Sequence, residues 1–136
     1  ELGAGILGPA KNKPIQLADG TILSPASDES NPKFPQWTAH LERSEDGGLT
    51  WRRQGKVPYK GRIIQGSLFI GNDSKVRMLL RQFDGTTRNG LYVNNRIVMA
   101  VSDERGTSWE SVRATQLLNP NSGLDSVKLS DGRLLL

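Results

Sequence analysis

Two titratable side chains stand where an internally repeated segment of the chain holds apolar residues. Glu42 and His40 align with Ala100 and Val98 of the second copy. Residues two apart share one face of a strand, so this carboxylate and this imidazole would point the same way. A carboxylate in a half-buried sheet needs a partner or a chemical role. Glu42 is therefore the candidate catalytic residue, and His40 is predicted to be a packing residue.

Arg81 is the candidate for binding an acidic group. It follows the apolar residues 78–80, where the first copy of the repeat has Ser27. The planar guanidinium can donate two parallel hydrogen bonds to a carboxylate, which suits it to an anionic ligand. Structural roles are the alternatives. Arg81 would then form a surface salt bridge, and Glu42 would pair with a neighbour such as Arg43 or Arg81.

Further polar residues are predicted to converge at the mouth of a central channel. The segments beginning at Asn12, Gln65 and Leu124 align without gaps, each with aliphatic residues at its fourth and sixth positions. This period-2 pattern is typical of half-buried strands. If these are the innermost strands of neighbouring sheets, polar groups meet there at one level. The candidate binding residues there are Lys13, Gln65 and Asp125, with a solvated rim as the alternative. Asn121 precedes the third of these strands and is a further binding candidate, with a turn cap as its alternative.

Two copies of one turn motif position these candidates. The pattern Ser-x-[Asp/Glu]-x-Gly-x-x-Trp occurs at residues 44–51 and again at 102–109. Serine and aspartate side chains can bind nearby backbone N–H groups, glycine accepts a positive φ, and tryptophan returns to the sheet as an apolar anchor. The residues given this structural role are Ser44, Asp46, Gly48, Trp51, Ser102, Glu104, Gly106 and Trp109.

The segments around the turns read as four strands per repeat. Residues 11–58 form one predicted unit, 63–117 a second, and 121–136 the start of a third. Four antiparallel strands joined by short turns are typical of a β-propeller blade, and propellers close with roughly four to eight blades. The sequence therefore predicts an all-β fragment of about two and a half blades, with further blades outside it.

Composition and motifs exclude several kinds of chemical site in this segment. The 136 residues include 15 glycines and no cysteine, which excludes thiolate metal sites and disulfides here. No metal-ligand spacing, phosphate-binding glycine loop or nucleophile elbow occurs, so neither a metal nor a cofactor is predicted. The net charge is +4, but the 18 Lys and Arg residues are scattered, which does not indicate a nucleic-acid partner. No apolar run has the length of a membrane span, and the compartment is left open.

The two turns, with the stretches 5–15 and 119–125, resemble the Asp-box or BNR repeats of the sialidase superfamily. The resemblance covers essentially the whole chain and implies a place in the middle of a six-bladed propeller. It also implies that the Asp-boxes are structural outer turns. Sialidases bind the substrate carboxylate with several arginines and use a Tyr–Glu pair and an Asp in catalysis, an exception to the usual two-carboxylate glycosidase.

The function implied by this resemblance is that of an exo-acting glycoside hydrolase for terminal acidic sugars. Arg81 would anchor the acidic group, while Glu42, Lys13, Gln65, Asn121 and Asp125 would line the pocket. A propeller that binds glycans or proteins without catalysis is the main alternative, and hydrolysis of a neutral sugar is another. A channel-facing Tyr–Glu pair in the other blades would distinguish the enzyme from the binding module.

Overall fold

The structure is a computed structural model that describes residues 2–30, 36–83, 85, 87–92 and 95–136. Every regular element in these residues is a β-strand. The described part of the chain contains no helix long and apolar enough to cross a membrane. The all-β prediction is confirmed.

The first sheet contains the first four strands in chain order. They are β1 (Ile15–Gln16), β2 (Ile22–Asp28), β3 (Thr38–Ser44) and β4 (Arg52–Lys56), paired antiparallel in the order β1-β2-β3-β4. The two central strands are buried almost throughout, whereas β4 is largely exposed. The basic residues of β4 protect this outer edge from pairing with another chain.

The second sheet repeats this arrangement with longer strands. It contains β5 (Arg62–Ile70), β6 (Val76–Phe83), β9 (Arg96–Ser102) and β10 (Trp109–Leu118), in the order β5-β6-β9-β10. A hairpin of β7 (Thr87–Arg88) and β8 (Leu91–Tyr92) is inserted between β6 and β9, and β11 (Val127–Lys128) pairs with β12 (Leu134–Leu135).

Both four-stranded sheets run from one edge to the other in chain order, apart from the inserted hairpin, as the blades of a propeller do. The second sheet extends one residue beyond the predicted unit 63–117 at each end. The unit boundaries and the six-bladed closure stay predictions.

Apolar side chains hold the two sheets face to face. Leu23 and Leu41 of the first sheet belong to the same buried cluster as Met78, Leu80 and Val98 of the second. Alternate residues of the second sheet point away from this cluster, so Leu79, Ile97 and Leu124 form a separate core toward the third unit. Full burial of one such side chain contributes roughly 1.5–3 kcal/mol.

Each sheet therefore has two chemically different ends. We call the end that carries the turns at 45–51, 71–75 and 103–108 the Asp-box end. The other end, where β2 and β6 finish and where β3, β5 and β9 begin, is called the far end. The two sheets are oriented alike, because Arg43 near one Asp-box turn donates to the carbonyl of Arg105 in the other.

Candidate functional site

Arg81, near the end of β6, is held at the far end by two amide side chains. Its Nε donates to Asn121 Oδ1 at 2.8 Å, and its Nη1 donates to Gln65 Oε1 at 3.1 Å. The guanidinium is half-buried, and its Cζ lies 5.4 Å from the centroid of the Trp37 ring. Within the described residues Arg81 forms no ion pair with a carboxylate. Its charge is thus oriented by neutral groups and is not neutralised by any carboxylate that the structure describes, which suits an anion site.

The two amide residues that orient Arg81 both have left-handed backbone. The φ of Gln65 is 54° and that of Asn121 is 60°. Residues other than glycine rarely adopt this backbone conformation, and those that do cluster at ligand sites. Gln65 lies in an irregularity of the β5–β6 pairing, and its N–H donates to Ser27 Oγ at 2.8 Å. A bulge of this kind re-aims a side chain, here toward Arg81.

Asn12 supports the bulge from the first sheet. Its Nδ2 donates to the carbonyl oxygens of Gln65 at 3.2 Å and Gly66 at 3.0 Å. Glycine is required at position 66, because a Cβ there would lie 2.4 Å from Met78 Sδ. Asn12 is therefore a positioning residue that the sequence did not single out. Its only signal was its place in the aligned segments that begin at Asn12, Gln65 and Leu124.

Lys13 and Asp125 form a second polar group. Lys13 Nζ lies 3.0 Å from Asp125 Oδ2, and their side chains are 54% and 51% exposed. Asp125 Oδ1 also accepts hydrogen bonds from Ser67 Oγ at 2.8 Å and from the Ser126 N–H at 2.7 Å. Partial desolvation raises the pKa of Asp125, but the hydrogen bonds from Lys13 and Ser67 outweigh it and leave the pKa below its ordinary value. This carboxylate is ionised at neutral pH, which does not suit a general acid.

Glu42 is a buried residue that holds the backbone of Leu7 and Gly8. The residue has no exposed surface, and its two oxygens accept the N–H groups of Leu7 at 2.6 Å and Gly8 at 2.8 Å. With both oxygens engaged by backbone N–H groups, this carboxylate holds the segment 7–8 in place, and its catalytic role stays a prediction. The alternative of a pair with Arg43 or Arg81 is not found, because the buried Arg43 donates to Glu45 and to a backbone carbonyl.

His40 lies beside Glu42 on the same face of β3. Its Nε2 is 3.2 Å from Glu42 Oε1, and its Nδ1 has no hydrogen-bond partner in the described part of the chain. Burial lowers the pKa of His40, and the hydrogen bond with Glu42 opposes this shift only in part. The imidazole is therefore neutral at physiological pH.

The first Asp-box turn is closed by its own side chains. Asp46 accepts the Thr50 N–H at 2.9 Å and the Ser44 hydroxyl at 2.8 Å, and Trp51 Nε1 donates to the Gly48 carbonyl at 3.0 Å. Hydrogen bonds from Thr50, and then from Ser44, lower the pKa of Asp46 to about 2. All of these groups are occupied within the turn, which fits the predicted structural role.

The second turn uses a different carboxylate from the one predicted. Asp103 accepts the Thr107 N–H at 2.8 Å and the Arg105 N–H at 3.2 Å, whereas Glu104 is exposed. In both turns an aspartate accepts the N–H of a threonine four residues later. Glu104, whose side chain is longer, lies one position after the aspartate of the second turn. The assignment of Glu104 is corrected to Asp103.

The second turn also packs on the first sheet. A Cβ at Gly106, whose φ is 69°, would lie 2.6 Å from Leu23 Cδ1. Trp109 packs against the core between the sheets, and its Nε1 donates to the Gly55 carbonyl at 3.4 Å. Trp109 therefore bridges two sheets, while the indole N–H of Trp51 caps its own turn.

The comparison with known families identifies the chain. The sequence profile of the BNR repeat-like domain matches residues 1–136. The chain belongs to this family. The predicted BNR or Asp-box repeat is thereby confirmed, while the catalytic activity of the domain is a separate question. No curated protein matches the chain.

A solved structure supports the fold of this BNR repeat-like domain. It is the crystal structure of a protein of unknown function from Dyadobacter fermentans DSM 18053, with a TM-score of 0.72 and 19% identity. The match covers 89% of this chain and 31% of the other chain. At this identity the likeness shows a shared fold alone.

The BNR repeat-like domain thus brings most of the predicted binding residues together at two points. Arg81, Gln65 and Asn121 are in contact at the far end, and Lys13 meets Asp125. Glu42 lies apart from both groups. The described residues contain no cluster of three or more His, Cys, Asp or Glu that could hold a metal ion.

Proposed function

We propose that this BNR repeat-like domain binds the carboxylate of a terminal acidic sugar at Arg81, as part of an exo-acting sialidase-like glycoside hydrolase. The observation that supports the proposal is the half-buried guanidinium with two neutral partners. Its Nε and Nη1 are occupied, and its Nη2 donates to no group among the described residues. An acidic ligand would supply the negative charge that its amide partners lack.

Gln65 and Asn121 have the role of fixing the guanidinium plane. A planar fork that is already oriented loses less rotamer freedom when it binds, so more of each hydrogen bond contributes to affinity. A hydrogen bond to a charged group contributes roughly 1.5–3 kcal/mol. Lys13 and Asp125 would present polar groups to sugar hydroxyls. In this proposal the nucleophile and the acid/base catalyst come from other blades.

A non-catalytic propeller that binds glycans or proteins is the second candidate. The enclosure of Glu42 favours it, because both oxygens of the predicted catalytic carboxylate are engaged by backbone N–H groups. Asp125 is also engaged, by Lys13 and Ser67. A domain of this kind would keep Arg81 for recognition and lack turnover.

Hydrolysis of fluorogenic sugars by the whole polypeptide that contains this chain separates the two candidates. The panel includes a sialoside, a glucuronide and neutral glycosides. We expect the parent to release fluorophore from an acidic sugar, and Arg81→Ala to reduce kcat/KM by on the order of tenfold or more. Arg105→Ala, in the exposed Asp-box turn, should match the parent.

Two outcomes would change the conclusion. Acidic sugars that bind without being hydrolysed would support the non-catalytic candidate. Turnover of acidic sugars that is equal in the Arg81→Ala and Arg105→Ala variants would remove Arg81 from the site.

A further inference from the structure

Two contacting aromatic rings lie between Arg81 and Arg62, each with one of the two guanidinium groups over its face. The ring centroids of Trp37 and Phe83 are 5.5 Å apart, with the planes inclined at 49°. Arg62 Cζ lies 4.0 Å from the centroid of Phe83, and Arg81 Cζ lies 5.4 Å from that of Trp37. We call the set Arg62, Phe83, Trp37 and Arg81 the aromatic ledge.

The aromatic ledge spans the junction between the two sheets at the far end. Trp37 immediately precedes β3 of the first sheet, Arg62 begins β5 of the second, and Phe83 ends β6. The Ile63 N–H donates to the Trp37 carbonyl at 3.3 Å, which ties the backbone of Trp37 to the second sheet. Because Arg81 belongs both to the ledge and to the group with Gln65 and Asn121, the two features share one surface.

Packing between sheets does not by itself account for this arrangement. The sheets already meet through a buried apolar core, in which Leu41, Met78 and Leu80 are almost fully enclosed. The side chains of the ledge are all half-buried, and the rings have guanidinium groups as neighbours. Neither Arg62 nor Arg81 forms an ion pair within the part of the chain that the structure describes. Two cations without a carboxylate partner among the described residues, along one partly exposed aromatic surface, are suited to an anionic ligand.

A sugar ring has the complementary surface. Its C–H groups form an apolar face that packs on an aromatic ring, while its hydroxyl and carboxylate oxygens lie at its edge, within reach of guanidinium donors. Ligand sites generally combine aromatic walls with a few placed polar groups of this kind.

We propose that the aromatic ledge binds the second sugar of an acidic oligosaccharide, next to the terminal sugar held by Arg81. Trp37 provides the stacking surface, and Arg62 contacts an anionic substituent of the second sugar. The proposal rests on the proposed function of Arg81 and makes it more specific. The preferred ligand carries negative charge on adjacent sugars, unlike a neutral chain with a single acidic cap.

Calorimetric titration of the whole polypeptide tests this proposal. The probes are galacturonic acid, digalacturonate, N-acetylneuraminic acid and its α2,8-linked dimer, each also in carboxyl-reduced form. We expect Trp37→Ala to weaken binding of an acidic dimer by on the order of tenfold, and to weaken binding of the monomer clearly less, because Gln65 and Asn121 still orient Arg81. Trp37→Phe, which keeps an aromatic ring and guards against misfolding, should retain most of the dimer affinity.

The charge on the second sugar is tested separately. Arg62→Ala should weaken binding of the fully acidic dimer several-fold, and should have little effect on a dimer whose second sugar alone is carboxyl-reduced. Arg52→Ala, an exposed arginine of β4, is the matched control and should bind every probe as the parent does.

Each result distinguishes the ledge from the Arg81 site. If binding of acidic monomers and dimers depends on Arg81 but Trp37→Ala weakens both equally, the role of the ledge is wrong and the proposed function is unaffected. Dimer binding that depends on Trp37 but not on Arg81 or on carboxylates would retain stacking and overturn the acidic-sugar function. A parent that binds none of the probes would overturn both.

Discussion

Three aspartates at the Asp-box end of the sheets and two arginines at the far end are held in different ways. The three aspartates are engaged locally. Asp46 and Asp103 accept hydrogen bonds from their own turns, and Asp73 is paired with Arg77. At the far end Arg81 contacts two amides and a ring, and Arg62 lies over a ring. Charges neutralised within a turn stabilise that turn, whereas charges oriented by neutral groups stay available to a ligand.

Residues other than glycine with a positive φ occur at both ends. At the Asp-box end most positive φ values fall on glycine, with Ser74 as an exception at 63°. At the far end they fall on Gly85 and Gly90 and on three other residues, Gln65, Asn89 and Asn121, of which Gln65 and Asn121 hold Arg81. Glycine adopts a positive φ at no steric cost, so the strain at Gln65 and Asn121 accompanies side chains that contact Arg81.

The largest expected effect tests whether Glu42 belongs to the scaffold or to the site. Glu42→Ala would leave two backbone N–H groups and His40 without their acceptor in a buried place. We expect the free energy of unfolding to fall by about 3 kcal/mol, because unsatisfied buried groups are costly. Denaturant titration measures this change, with the exposed Glu104→Ala as control. Unchanged stability together with lost ligand binding would move Glu42 into the site.

A pH titration examines the same buried pair. Burial lowers the pKa of native His40 below the ordinary value of 6.5, so the unfolded chain binds a proton that the folded chain excludes. Stability from this group is present above pH 6.5 and is lost as the pH falls below it, by at most about 1.4 kcal/mol per pH unit. His40→Gln should flatten the slope between pH 7 and pH 5. An equal slope in parent and variant would assign the acid sensitivity to other groups.

A comparison within the second turn tests the corrected assignment. Asp103→Ala removes the acceptor of the Thr107 N–H, and we expect a loss of about 1 kcal/mol, as for a helix cap. Glu104→Ala should change stability by less than about 0.5 kcal/mol, because it is exposed. Thermal melts of both variants measure these two changes in stability. A larger effect at Glu104 would restore the alignment of Glu104 with Asp46.

Glycine substitutions provide a matched comparison of strain at the two ends. Gln65→Gly and Ser74→Gly both relieve a positive φ and should change stability by about 1 kcal/mol or less. Only Gln65→Gly also removes an acceptor of Arg81, so it alone should weaken binding of an acidic sugar, by several-fold. Titration with the acidic monomer measures this loss. Equal affinities in the two variants would show that Gln65 does not position Arg81.

The local features of the fold could be predicted from the sequence. The Ser-x-[Asp/Glu] turns and the period-2 strands depend on neighbouring residues, so the repeat and the all-β class followed directly. Comparing the repeats singled out Arg81, whose counterpart is Ser27, and Gln65 as separate binding candidates. It did not predict that Gln65 and Asn121 would both contact Arg81. The bulge that turns Gln65 toward Arg81 has no sequence pattern from which it could be predicted.

Features that depend on distant segments could not be predicted. Glu42 is engaged by the backbone of Leu7 and Gly8, and a backbone donor has no residue type to recognise in the sequence. The choice of Asp103 over Glu104 depends on the reach of a side chain toward Thr107, which a fixed pattern cannot express. Trp37 lies against Arg81 because the two sheets pack together, and no periodicity connects them.

Carboxylate binding by Arg81 at the far end can be measured as a preference for an acidic sugar. The affinity of the whole polypeptide is determined for an acidic sugar and for its carboxyl-reduced counterpart, in the parent, in Arg81→Ala and in Arg105→Ala. We predict that the parent and Arg105→Ala prefer the acidic form by on the order of tenfold or more, and that Arg81→Ala has lost this preference. A preference that persists in Arg81→Ala would show that Arg81 does not bind the carboxylate.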